Sequence, residues 1–242
     1  LGFVLASKII LAQAVYTWTC GDCGTNSNWS NVNNWDVDGF GPNSTYPNNS
    51  SSDIVIFDGG TSNTNCTIDV NTTQGSNKIS SFTMNSGYSS TITLNAGFTF
   101  ETTGAFDMSG GNFTATTTAI VIVGGAFTEQ ASAGTFTGGS GAITMSSTFT
   151  QSAGTFTGGS GTHTFTGNFT LSAGTFTKTT GNMTVNGTFN ISGTGTFNSG
   201  GTNALTINNN FNQTGGTFNS TTTGNTIIST VAANPSVSFT SS

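Results

Sequence analysis

Apolar and polar residues alternate along this chain in very short pieces, each closed by Gly, Ser or Asn, and the set of pieces recurs. One period, FTLSAGTFTKTTGNMTVNGT, starts at Phe169, and Phe189 opens the next. Period-two alternation over such short runs predicts β-strands, here Phe-Thr-Leu, Thr-Phe-Thr and Met-Thr-Val, separated by turns. Phe recurs in two interleaved series that keep a step of about 21 residues. The first is Phe106, Phe127, Phe149, Phe169, Phe189 and Phe211; the second is Phe113, Phe136, Phe156, Phe176, Phe197 and Phe218. A third apolar series runs Ile120/Ile122, Ile143/Met145, His163/Phe165, Met183/Val185 and Leu205/Ile207. Short strands at a fixed period mean a solenoid whose coils bury one another's apolar residues.

The expected fold is therefore all-β: a right-handed parallel β-solenoid with about 21 residues and three short strands per coil, preceded by an N-terminal cap. Gly and β-branched Thr fill the positions a helical period would need, so helices have no place in the repeats. At about 4.8 Å per coil, roughly nine coils from Asp53 to Ser242 would make a rod of about 40 Å. Phe should face inward, each ring burying ~150–250 Å² and stacking on the ring one coil away, with the flanking Thr outward.

Four regions follow. Residues 1–14, LGFVLASKIILAQA, are apolar and small and close on Ala12-Gln13-Ala14, an A-x-A pattern suited to signal-peptidase cleavage before Val15. They read as a signal-peptide remnant; the competing reading is a short helix or strand over the solenoid's end. Residues 15–60, rich in Trp, Asn and Asp, read as the cap, residues 61–105 as irregular first coils, and residues 106–242 as regular coils that continue beyond the chain. No segment approaches the ~20 apolar residues of a membrane helix, so no membrane insertion by this segment is expected.

Only 5% of residues are charged, Arg is absent and Lys is limited to Lys8, Lys78 and Lys178. That argues against nucleic-acid binding, which needs a basic surface for the phosphates. Six of the nine acidic residues precede residue 70, so the regular coils are almost neutral. Disordered chains are poor in aromatics, whereas the 20 Phe here are periodic, which argues for order.

Cys20, Cys23 and Cys66 fit an exported protein with one disulfide and one thiol left over. A C-x-x-C redox site would sit in a βαβ pattern and a zinc site would want more ligands; neither context is present. The favoured pairing is a structural bridge from Cys66 to Cys20 or Cys23.

Tyr16, Trp18, Asn28-Trp29-Ser30 and Asn34-Trp35, then DIVIF over residues 53–57 leading into G-T-F-T coils, resemble large secreted bacterial repeat proteins of the autotransporter-passenger and haemagglutinin-like β-helix type. The resemblance covers nearly the whole chain as a style of sequence. It implies export and display at the cell surface as an adhesin, stalk or matrix component, with surface glycans, matrix or other copies of the chain as partners. It carries no catalytic residues.

Three sets of side chains are candidates for chemistry or contact. The outward pairs Thr135/Thr137, Thr155/Thr157 and Thr175/Thr177 would form a flat hydroxyl lattice, spaced about 6.7 Å along a strand and 4.8 Å between coils. Flat T-x-T arrays on solenoids resemble ice-binding proteins, so binding to ice or a glycan lattice is the alternative to a structural or adhesive role. Cross-strand Thr pairing gives the same array with no ligand at all. Asp36 and Asp38, before Gly39, have the D-x-D-G look of a calcium loop that Asn43 or Asp53 would complete. An EF-hand count fails there, because Phe40 falls at a ligand slot and Pro47 where the bidentate Glu belongs; the other reading is turn-forming carboxylates. Apart from structural calcium, no cofactor is expected.

A polysaccharide-degrading β-helix enzyme, the second alternative, would need clustered carboxylates, and the regular coils offer only Asp107, Glu129 and Lys178. Asp107 should point to solvent. Glu129 shares its slot with Met108, Gln151, Leu171, Ile191 and Gln213, which suggests a corner. The expectation is therefore a non-enzymatic chain. His163 stands where neighbouring coils carry Ile143 and Met183, so it should be partly buried and neutral.

Overall fold

A computed structural model describes residues 13–41, 44–47, 52–73, 79–130, 134–220, 226–228 and 237–239. The signal-peptide reading falls on residues 1–14, of which 1–12 lie outside the described ones, as does Asn43. Among the described residues the fold is all-β, with a single 3-10 turn at Val32–Asn34 and no α-helix. Each regular coil contributes three strands, and each strand pairs in parallel with its counterpart one coil away.

The first face stacks Phe106–Met108, Phe127–Glu129, Phe149–Gln151, Phe169–Leu171, Phe189–Ile191 and Phe211–Gln213. The second face is a separate eight-stranded sheet running from Cys66–Ile68 to Thr217–Asn219. The third stacks Thr99–Thr102, Ile120–Val123, Ile143–Met145, His163–Phe165, Met183–Val185 and Leu205–Ile207. The solenoid makes about seven turns rather than nine. The first coils are longer than the regular step, Cys66 pairing with Ile92.

Both Phe series run down the interior as stacked columns. Phe136, Phe156 and Phe176 lie at 4.4 and 4.7 Å with rings within 6° of parallel. Phe127 and Phe149 are 5.1 Å apart at 3°, and Phe149 and Phe169 4.6 Å apart at 11°. Across the core the columns meet edge to face, Phe149 against Phe156 at 5.4 Å and 89°. Offset stacking along the axis and T-shaped contact across it both suit the ring quadrupole. The columns extend back into the first coils, where Phe82 pairs with Phe106 and Ile92 with Phe113.

One stretch of the third series is shifted from the sequence reading. Ile120 and Ile122 point outward, and Val121 and Val123 are the buried pair, aligned with Ile143 and Met145. In a run of four β-branched residues either parity looks apolar, so only pairing with the next coil fixes which two face in.

The cap begins with β1 (Val15–Trp18), which pairs antiparallel with β2 (Trp35–Val37) and parallel with β3 (Asp53–Phe57). Trp18, Trp29 and Trp35 are fully buried. Each indole N–H has an acceptor: Thr64 Oγ1 for Trp18, the Pro47 carbonyl for Trp29 and the Trp29 carbonyl for Trp35. Buried Asn34 ties the loop together, donating to the carbonyls of Asn26 and Asn28 while its Oδ1 accepts from the Asp22 amide. The cap also covers the second face: the Trp29 amide donates to the Thr67 carbonyl and the Thr67 amide to Ser27.

Candidate functional site

Side-chain parity differs between the faces, and this decides which surface can make extended contact. First- and third-face strands such as Phe149–Gln151 and His163–Phe165 bury both ends and turn one central residue outward. Second-face strands such as Thr155–Thr157 do the reverse, burying the central Phe and turning two residues out. The second face therefore carries the broader outward array.

That array is in register. Thr135, Thr155, Thr175 and Thr196 form one row, and Thr137, Thr157 and Thr177 the other. All of these Thr are half-buried. Asn112/Thr114 precede the block, and Thr196/Asn198 and Thr217/Asn219 follow it. Where Asn replaces Thr the row continues as a hydrogen-bonded ladder, the Asn198 amide donating to Thr177 Oγ1 at 3.3 Å and the Asn219 amide to Asn198 Oδ1 at 2.8 Å. None of these outward positions is charged. The described residues enclose no pocket.

The cysteine pairing differs from expectation. Cys20 and Cys23 are bridged to each other, and Cys66 is a buried free thiol. Cys20 sits at φ 57° in the turn that brings Cys23 back, its carbonyl accepting the Cys23 amide at 3.4 Å. Cys66 instead occupies an inward slot, aligned with Ile92, and burial raises its thiol well above the ordinary range.

Asp36 and Asp38 both hold backbone amides. Asp36 Oδ1 accepts from Gly41 at 2.7 Å and Asp38 Oδ1 from Val15 at 2.9 Å. This is turn-forming work, with Asp38 and Gly39 both at positive φ. Among the described residues no group of three or more His, Cys, Asp or Glu stands together.

Asp107 and Glu129 are not brought together. Asp107 aligns with outward Thr128, whereas Glu129 aligns with Met108 and is fully buried, not at a tolerant corner. His163 is likewise fully buried; its Nε2 bonds the Gly158 carbonyl, and burial first, then nearby Lys178, lowers its pKa against the raising effect of that bond.

Lys178, read from the sequence only as one of the few charged side chains of the regular coils, turns inward. It is 1% exposed, and its Nζ donates to the carbonyls of Gly181 and Asn203 at 2.8 Å each. Desolvation lowers its pKa. The signal was available: Lys178 follows Thr-Phe-Thr at inward parity, in the slot that Gly138 and Gly158 fill in preceding coils. Lys178→Met keeps the stem but strands two acceptors, and urea denaturation should show a loss of about 1–3 kcal/mol.

No protein family, curated protein or solved structure matches this chain. No helix among the described residues is long and apolar enough to cross a membrane.

Proposed function

We propose that this chain is a non-enzymatic, extracellular structural or adhesive segment of a bacterial surface protein, a stiff spacer that makes contact through its second face. The observation that carries the reading is the in-register, uncharged, two-wide Thr/Asn array on an eight-stranded sheet. Its partners are surface glycans, matrix or other copies of the chain. Export and surface display rest on the resemblance to secreted repeat proteins of the autotransporter-passenger and haemagglutinin-like type.

Retention on immobilised matrix polysaccharide, surface glycan or the chain itself tests this. The double change Thr155→Asp and Thr157→Asp puts charge on outward positions and should leave the circular dichroism unchanged while reducing retention at least tenfold. The matched pair Thr164→Asp and Thr184→Asp, on the third face, should retain normally. No retention of the parent chain on any of the three surfaces would remove the adhesive reading.

The regular block also favours a second reading, binding to an ice or crystalline glycan lattice. Hydroxyls about 4.8 Å apart along each row, in two rows about 6.7 Å apart, present a repeat that an ordered solid can match and a flexible solute cannot. Ice shaping, or retention on crystalline glycan, that disappears in Thr155→Val, Thr157→Val would support it; absence of both in the parent would end it.

A further inference from the structure

Three buried oxygens in adjacent coils lack a partner among the described residues: both carboxyl oxygens of Glu129, and Oε1 of Gln151. The two side chains occupy the same inward slot and align directly, Glu129 with Gln151. Gln151 Nε2 is turned the other way, donating to the carbonyls of Ala153 at 3.2 Å, Gly154 at 3.3 Å and Thr175 at 3.1 Å, the last of these in the following coil. Its oxygen is therefore left for the preceding coil, where Glu129 stands. Two acceptors side by side in a dry interior repel, and each retains the full cost of lost hydration. One proton resolves both.

We propose that Glu129 is held in the folded coil as the neutral acid, with its O–H donating to Gln151 Oε1. This makes an acid–amide rung between two coils and ties the solenoid's stability to proton concentration. Burial pushes the Glu129 carboxyl up from 4.5 to about 8. The Thr155 amide lies near the carboxyl and works in the other direction, but its N–H already donates to the Gly134 carbonyl at 3.0 Å. Among the described residues no other titratable side chain faces the slot; on the third face Glu101 lies at an outward position. The preceding strand supplies Met108, with Asp107 on its solvent side, and the following strand supplies Gln151. Across the core, Asn112–Ala115, Thr135–Thr137 and Thr155–Thr157 contain no ionisable group. Among the described residues no second carboxylate, His or Cys joins Glu129 in a group of metal-ligand size, and a lone carboxylate suits a proton better than a metal ion.

The sign follows from linkage. The folded-state pKa lies above the unfolded one, so the stabilisation is complete below pH 4.5 and is lost as pH rises to about 8. Across that window the folding equilibrium constant should fall about a thousand-fold relative to a chain without the acid. Glu129→Gln is the reference variant, because its amide can donate to Gln151 Oε1 at every pH and Gln already fills this slot at Gln151 and Gln213. Taking the difference between the two chains cancels the contribution of His163, which is common to both.

Urea denaturation of both chains from pH 4 to pH 9 should give equal stability at the acid end and a gap that opens toward the alkaline end. Infrared spectra at pH 6 should show a protonated carboxyl band in the parent that is missing in Glu129→Gln. Gln151→Leu, using the residue found at Leu171, should move the midpoint to lower pH. A gap that does not change with pH, or a missing protonated band, overturns the neutral acid. An unmoved midpoint in Gln151→Leu overturns its pairing with Gln151. Recovery of the parent at pH 8 on adding calcium chloride, without recovery of Glu129→Gln, would reassign the slot to a cation.

Discussion

Gly161→Ala is expected to cost more than about 4 kcal/mol and to leave little cooperative unfolding, although it adds only one methyl group to a buried turn residue. Gly141, Gly161 and Gly181 stack in one column, and a Cβ on Gly161 would overlap the Gly141 carbonyl just as one on Gly181 would overlap that of Gly161. The obstacle is backbone, so no side chain can rotate away. Relief requires the coils to separate, and separation breaks ladder hydrogen bonds on both adjoining faces. Gly60→Ala, where nothing lies within 4 Å of the new atom, is the control and should unfold like the parent. Guanidinium titrations of the three proteins decide it; a Gly161→Ala transition within about 1 kcal/mol of the parent would show that the corner has slack.

Phe156→Ala should cost about 3–5 kcal/mol. The ring is fully buried and stacks on Phe136 and Phe176 at 4.4 and 4.7 Å, with Phe149 and Phe127 edge-on at 5.4 and 5.7 Å. Four rings lose a neighbour at once, and the coil spacing, fixed by the backbone ladder, prevents the column from closing over the void. Phe218→Ala, at the last strand of the same column and only partly buried, should cost well under half as much. Equal losses at the two positions would mean that stacking along the axis contributes little beyond ordinary burial.

The architecture was readable because the chain states it many times over. Strands of three residues carry almost no signal singly, yet Phe at the same two places in six successive periods leaves one parity and one neighbour for each piece. The same redundancy made the Thr face legible, since outward Thr follows once Phe is inward. What failed were features stated once. The four-residue run at 120–123 is apolar at both parities, and only alignment with Ile143 and Met145 selects Val121 and Val123. Glu129 looked tolerated because its slot holds Met, Gln and Leu elsewhere; that variety reflects a buried position with polar groups to satisfy, not an exposed one. The disulfide depended on a left-handed turn at Cys20 and the inward phase of Cys66, neither of which spacing reveals.

The cap has a further consequence for the behaviour of many such chains together. A stack of parallel strands is a template, and an open end can recruit a like strand from another molecule. At the N-terminal end the cap covers two of these edges. On one sheet the three-residue β2 lies antiparallel outside β1, so an arriving coil meets this short cap strand before the solenoid's own strands. On the other, residues 27–29 already hold the Thr67 amide and carbonyl. Addition of a like strand at these two edges has to displace the cap first, which slows seeding and fibre growth there.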